Sequence, residues 1–189
     1  MRKNHRLTAA LCIGLLLAIG CAGLQASAQH KLSRKLLRLH VIANSDSRED
    51  QTIKLKVRDA VLQCEVGRYP TEAQLQRIEQ EAISCLRAHG YGEKVQVSCE
   101  RMYFDTRTYP DFALPAGYYD ALRVVIGEGQ GKNWWCVVYP SLCTGFAEAE
   151  AEGVLSEDEV SYIKKDGKKY VLRFKLQELI SGLVHAVRE

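Results

Sequence analysis

Residues 127–143 read GEGQGKNWWCVVYPSLC, and the fold class turns on whether a strand or a helix comes after the glycines. A phosphate-cradling loop needs a strand before it and a helix after it, because the helix amino terminus holds the phosphates. Here the glycines lead into Trp134-Trp135-Cys136-Val137-Val138-Tyr139, a β-prone run closed by Pro140. Lys132 is followed by Asn133, where a phosphate loop would place Ser or Thr. The stretch therefore predicts a strand after the loop, with the glycines serving a hairpin turn that needs positive φ. Trp134 and Trp135 are neighbours on that strand, so their rings point to opposite faces. Either one ring anchors the core while the other offers a recognition surface, or both are buried.

Upstream, Tyr119 to Ile126 (YDALRVVI) reads as another strand, after a turn at Leu114-Pro115-Ala116-Gly117. Val95, Val97 and Cys99 alternate with Gln96, Ser98 and Glu100, the period of a half-buried strand. Two helices are predicted before that. The first carries Ile53, Val57, Ala60, Val61 and Cys64 at helical spacing and starts from Asp46 or Ser47, with Glu49 or Asp50 three residues on. The second opens at Thr71, shows a stripe of Leu75, Ile78, Ala82, Cys85 and Leu86, and stops at Gly90. Leu36 to Ala43 (LLRLHVIA) is a short apolar run that suits a buried strand, and residues 29–35 form a polar lead-in. The terminal stripe Leu172, Leu176, Leu179, Ile180, Leu183 predicts a helix. The order predicts an α+β fold, an antiparallel-rich sheet with two central helices and a C-terminal helix.

The N-terminal segment sets the compartment. MRKNHR precedes LTAALCIGLLLAIG, and Ala26-Ser27-Ala28 supplies the small residues of a cleavage site before Gln29. Two alternatives stay open. Ala18-Ile19-Gly20-Cys21 resembles a lipoprotein processing site, and Leu7 to Leu24 is long enough for an uncleaved anchor. All three place the remainder outside the cytoplasmic membrane. The 28 leading residues hold three bases and no acid, so the net charge of +3 vanishes without them. A neutral body gives no electrostatic case for nucleic-acid binding. The expected organisation is a signal peptide or anchor at 1–28, an α+β domain at 29–146, a charged linker at 147–169 and a helix at 170–189.

Five of the seven cysteines lie beyond residue 28, an odd number that excludes full pairing among them. Cys64, Cys85 and Cys99 read as small buried hydrophobes. Cys136 and Cys143 read as a bridge, worth about 2.5 kcal/mol in the chain-entropy model. The competing reading makes Cys136 a nucleophile, which needs a base such as His40. His30, His89 and His185 are poorly placed for that role, and no thiol-protease signature surrounds Cys136. Asn44, Asp46 and Asp50 lack the spacing of a calcium loop and read as helix capping. Asp111 and Asp120 carry no acid–base spacing. No metal or cofactor is expected.

RLHVIANSDSREDQTIKLKVRDAVL, LPAGYYDALRVVIGEGQGKNWWCVVYPSLC and FKLQELI are similar to stage II sporulation protein R, a sporulation signalling family. The resemblance runs from about Leu36 to Thr144 and returns near the C-terminus, and TGFAEAE after Cys143 departs from it. It implies a noncatalytic developmental signal of endospore formation, exported from the forespore into the intermembrane space. There it would activate a membrane-embedded aspartic protease, leading to processing of the precursor of the early mother-cell sigma factor. The membrane would be touched only through the N-terminal segment, if that is uncleaved or lipidated. The expected contact surfaces are the 44–51 and 128–136 segments, with Asn44, Asp46, Asp50, Gln51, Asn133, Trp134 and Trp135, whose polar and aromatic groups packing alone does not demand. The alternatives are a secreted thiol-dependent hydrolase acting on envelope material and a lipoprotein with a structural envelope role.

Overall fold

The computed structural model describes residues 12–14, 20, 23, 26–142 and 153–164. Its centre is β1 (Leu37–Ile42), six residues that are all buried. A strand so enclosed must pair on both edges to satisfy its backbone, and it does. The sheet order is β2-β5-β1-β6, with β2 spanning Val95–Phe104, β5 Gly117–Ile126 and β6 Asn133–Tyr139. β2 pairs with β5 antiparallel, β5 with β1 parallel, and β1 with β6 antiparallel. The α+β class and the antiparallel bias are as the sequence predicts. Residues 170–189, where the sequence predicts the last helix, lie outside the described residues.

The hairpin expectation is overturned. β5 and β6 are not neighbours; they flank β1, and residues 127–132 cross over its end. The glycines span two inter-strand gaps, roughly 10 Å, where a two-residue turn would span one. The cause is the burial of β1: its apolar run takes both strands as partners, and the connection is drawn across it.

Helix α1 covers residues 26–35. Leu32 and Ser33 are fully buried, so the polar lead-in is a packed element. Helix α2 (Arg48–Leu62) starts at Ser47, whose hydroxyl accepts from the Asp50 N–H at 3.0 Å. It buries Ile53, Val57 and Val61, the i, i+4, i+8 stripe. Helix α3 (Glu72–Ala88) opens with a reciprocal capping box between Thr71 and Gln74 and buries Ile78, Ala82 and Leu86. These two stripes cover one face of the sheet, over Leu37, Leu39, Val41, Leu122, Val124 and Ile126.

The opposite face carries a second core. A two-stranded piece, β3 (Arg107–Thr108) with β4 (Ala113–Leu114), lies there, running into the turn that the sequence predicts at 114–117. Phe104, Phe112, Leu114, Tyr119 and Val137 meet Leu32 and Leu36 in this core. Helix α4 (Glu157–Ile163), within the stretch that reads as solvated linker, adds Val160 and Ile163, both buried. Its capping box between Ser156 and Glu159 makes a helix start out of an acidic run. The Glu159 carboxylate also takes the Lys35 ammonium at 2.6 Å, joining α4 to α1. Cys99 corrects another expectation. β2 is an edge strand, and Cys99 is exposed, while Cys64 is buried and Cys85 half-buried. Among the described residues no helix is long and apolar enough to cross a membrane.

Candidate recognition site at the crossover loop

The 44–51 and 128–136 segments, far apart in sequence, form one structure. Where β1 ends, the Ala43 carbonyl accepts from the Gly131 N–H at 2.9 Å, and the Asn44 carbonyl accepts from the Gln130 N–H at 3.0 Å. The Asn44 side chain works in both directions. Its Oδ1 accepts from the Glu128 N–H at 2.9 Å, and its Nδ2 donates to Asp50 Oδ2 at 3.0 Å. Asp46 Oδ1 accepts from the Lys132 N–H at 2.7 Å, with Gln51 Nε2 at 3.4 Å. Gln51 Nε2 also donates to the Ser45 carbonyl at 2.9 Å. Lys54 is buried. Its ammonium donates to Gln51 Oε1 at 2.6 Å and to the Lys132 carbonyl at 2.9 Å. The end of β1 and the entry to α2 thus clasp the glycine loop through its backbone. Burial lowers the Lys54 pKa, and the Ser45 hydroxyl, donating at 2.5 Å, lowers that of Asp50.

Asn44, Asp46, Asp50 and Gln51 therefore spend much of their polar capacity inside the molecule, which gives the clasp its shape. Asp46 and Asn133 are exposed on it, Asn44 and Gln51 are half-buried, and Asp50 is buried. Gly131 shows how tight the crossing is: a Cβ there would run into the Ser45 carbonyl. Among the described residues no group of His, Cys, Asp or Glu is arranged to hold a metal ion.

Trp134 and Trp135 go to opposite faces, as strand alternation requires. Trp134 pairs with Val41 on the helix-covered face, where the Arg58 guanidinium lies 4.8 Å over its ring. Trp135 pairs with His40 on the other face and stacks on it, centroids 3.7 Å apart and planes 16° from parallel. Phe104 meets Trp135 edge-on at 4.9 Å, and the Arg107 guanidinium lies 5.2 Å from its ring. Both indoles are half-buried, so each face of β6 presents part of an aromatic ring.

His40 is 4% exposed, and neither ring nitrogen has a hydrogen-bond partner. Burial pushes its pKa down to about 4; Asn133 and Glu100 favour the charged form, while Arg123 and Arg107 oppose it. Arg38, two residues before it on the same face, is fully buried. Sequence reasoning singles out neither as a recognition residue. The signal is nonetheless present in Leu37-Arg38-Leu39-His40, an alternation that puts two bases on one face of a strand.

Cys136 is 4% exposed and disulfide-bonded, its partner sulfur outside the described residues, as is Cys143. Cys64, Cys85 and Cys99 are free; burial raises the thiol pKa of Cys64 and Cys85, and at exposed Cys99 partial desolvation of the sulfur, helped by the Asp120 charge, acts in the same direction.

The family model for stage II sporulation protein R matches residues 33–150. Stage II sporulation protein R of Bacillus subtilis (strain 168) is 33% identical over 145 residues, which cover 70% of this chain and 64% of that relative. The chain thus spans somewhat under two thirds of the length of the curated relative it matches. No solved structure matches.

Proposed function

The chain belongs to the stage II sporulation protein R family, and from that membership we propose that it is an exported, noncatalytic signal of endospore formation. In this reading it leaves the forespore through its N-terminal segment and acts in the intermembrane space. There it binds a membrane-embedded aspartic protease and favours the active state, so that the precursor of the early mother-cell sigma factor is processed. It shifts that equilibrium only by binding the active state more tightly. The observation that carries the reading is the extent of the family match, residues 33–150, which takes in the clasp and both indoles. The clasp suits docking because its polar groups are already ordered, so little conformational entropy remains to be lost on binding.

A thiol hydrolase is disfavoured by the chemistry of the cysteines. A nucleophile needs a lowered pKa, whereas Cys64, Cys85 and Cys99 have theirs raised by desolvation. Cys136 is already bonded; Cys12, Cys64, Cys85 and Cys99 are free, and of Cys21 and Cys143 we assign Cys143 as the partner, because it follows only seven residues on and stays with the exported body.

The test is co-expression of the full chain with the protease and its precursor substrate in a host lacking sporulation genes. Processing is expected only when the chain is present and carries its export segment. Processing of equal extent without the chain, or with a chain confined to the cytosol, overturns the proposal.

A further inference from the structure

The sheet face opposite α2 and α3 holds a run of hydrogen-bond donors without acceptors. Arg38 has no exposed surface, and its Nε and Nη1 have no partner. Its Nη2 donates to the Tyr109 hydroxyl at 2.9 Å, and its guanidinium lies 4.1 Å from the Phe104 ring centroid and 5.1 Å from that of Tyr119. Arg107 Nε and Gln29 Nε2 are also unpartnered. Among the described residues, neither Arg38 nor Arg107 has a carboxylate within ion-pair distance; Asp120, Glu100 and Glu159 are taken by Arg68, Arg101, Arg123 and Lys35. Aromatic faces attract a cation, yet they do not replace a counter-charge for a guanidinium removed from water. Such an orphan donor set is retained at a cost in stability, which is a property of binding sites.

We propose that Arg38, Arg107 and the Trp135–His40 stack form a binding site for a carboxylate presented by an acidic peptide segment of a partner protein. Arg107 and Trp135 are half-buried and meet the ligand first, while Arg38 lies deeper, reached through Phe104. Arg38 and Arg107 together offer two charges, so desolvation, not charge count, separates the candidate ligands: a phosphate dianion costs more to bring among aromatic side chains than one carboxylate does. Phe104, Tyr119 and Trp135 supply apolar walls for the methylene stem of a glutamate. Because Arg38 is sealed, full engagement requires the β3–β4 piece, tied to it through Tyr109, to shift. The site does not depend on which protein presents the acid, so its failure would leave the signalling proposal standing.

The experiment is thermal unfolding and calorimetric titration of the purified full chain with an N-acetylated, C-amidated hexapeptide of alternating glutamate and glycine. Its glutamine counterpart and inorganic phosphate serve as separate arms. The glutamate peptide is expected to raise the unfolding midpoint with concentration, to lose affinity with added salt, and to exceed both other arms. Arg107→Gln is expected to weaken it by about tenfold or more, the loss of one charge-assisted contact. Arg38→Met is expected to abolish the response while unfolding at an equal or higher temperature than wild type, because an unpaired buried charge has been removed. Should Arg38→Met not fold, Arg107→Gln and Arg38→Lys decide the matter by the same titration. A response to glutamate no greater than to glutamine or phosphate overturns the assignment. So does an undiminished response in the variants.

Discussion

His40 is kept neutral by the protein that surrounds it. Its folded pKa of about 4 lies below the usual 6.5, so the unfolded chain takes up a proton that the folded chain refuses. Stability from this source is fully present above pH 6.5, falls as the pH drops, and is gone below about 4. The amount is at most about 3.5 kcal/mol, taking 1.36 kcal/mol per pKa unit. Urea unfolding at pH 7 and pH 4.5 should therefore show a larger loss in wild type than in His40→Phe, which keeps an aromatic ring on Trp135. Equal losses in the two proteins would sink this account. Asp50 acts in a lower window, because its pKa is depressed from 3.8 by the Ser45 hydroxyl and by Asn44. Its contribution is complete above that value and is lost only as the pH falls through the folded pKa. At pH 7, Asp50→Ala should cost about 2 kcal/mol, since it strands the donors of half-buried Asn44 and Ser45. A change near zero in urea midpoint would mean that water replaces the carboxylate without penalty.

At the scale of elements, β1, α2, α3, β2, β5 and β6 are all readable from the sequence, because each carries a local period or a cap. Their pairing is not. The loop 127–132 has the glycine content of a hairpin, and nothing local distinguishes a turn from a crossing over a third strand. That choice is made by β1, far earlier in the chain, through a burial that acts across the sheet. The same limit hides the clasp. Asn44, Asp46, Asp50 and Gln51 stand out in the sequence as polar groups that local packing does not require. Their partners include the amides of residues 128–132, which sequence spacing cannot bring near. β3, β4 and α4 are short, and their apolar residues show no period until the second core collects them. The crossing makes a sharp prediction. Gly131→Ala would press a methyl group against the Ser45 carbonyl, backbone that can yield only by opening the clasp. A loss of about 2 kcal/mol is expected, together with faster hydrogen exchange at Gln130 and Gly131. Gly92→Ala, with open space around it and no positive φ, should be neutral or slightly stabilising. If both variants unfold alike, the close approach at Gly131 is without consequence.

For the whole molecule, β6 contributes to both cores, as β5 and β2 do. Cys136 and Val138 face the helix-covered side, while Val137 faces the side closed by α1, β3–β4 and α4. A cross-link leaving β6 at Cys136 therefore braces both cores at once, and its loss should be felt as global stability, not as a local defect. If Cys143 is the partner, Cys136→Ser and Cys143→Ser should each lower the unfolding free energy by about 2.5 kcal/mol, and the double variant should cost little more than either. A catalytic thiol predicts another pattern: one substitution abolishes activity in fully folded protein, and the other is tolerated. The two can be separated by measuring precursor processing at several temperatures beside the folded fraction of each variant. Under docking, all three variants and wild type fall on one curve of processing against folded protein, because nothing but the assembled surface is needed. A point for Cys136→Ser far below that curve, at a temperature where the protein is folded, would show chemistry at the sulfur and return the hydrolase to first place.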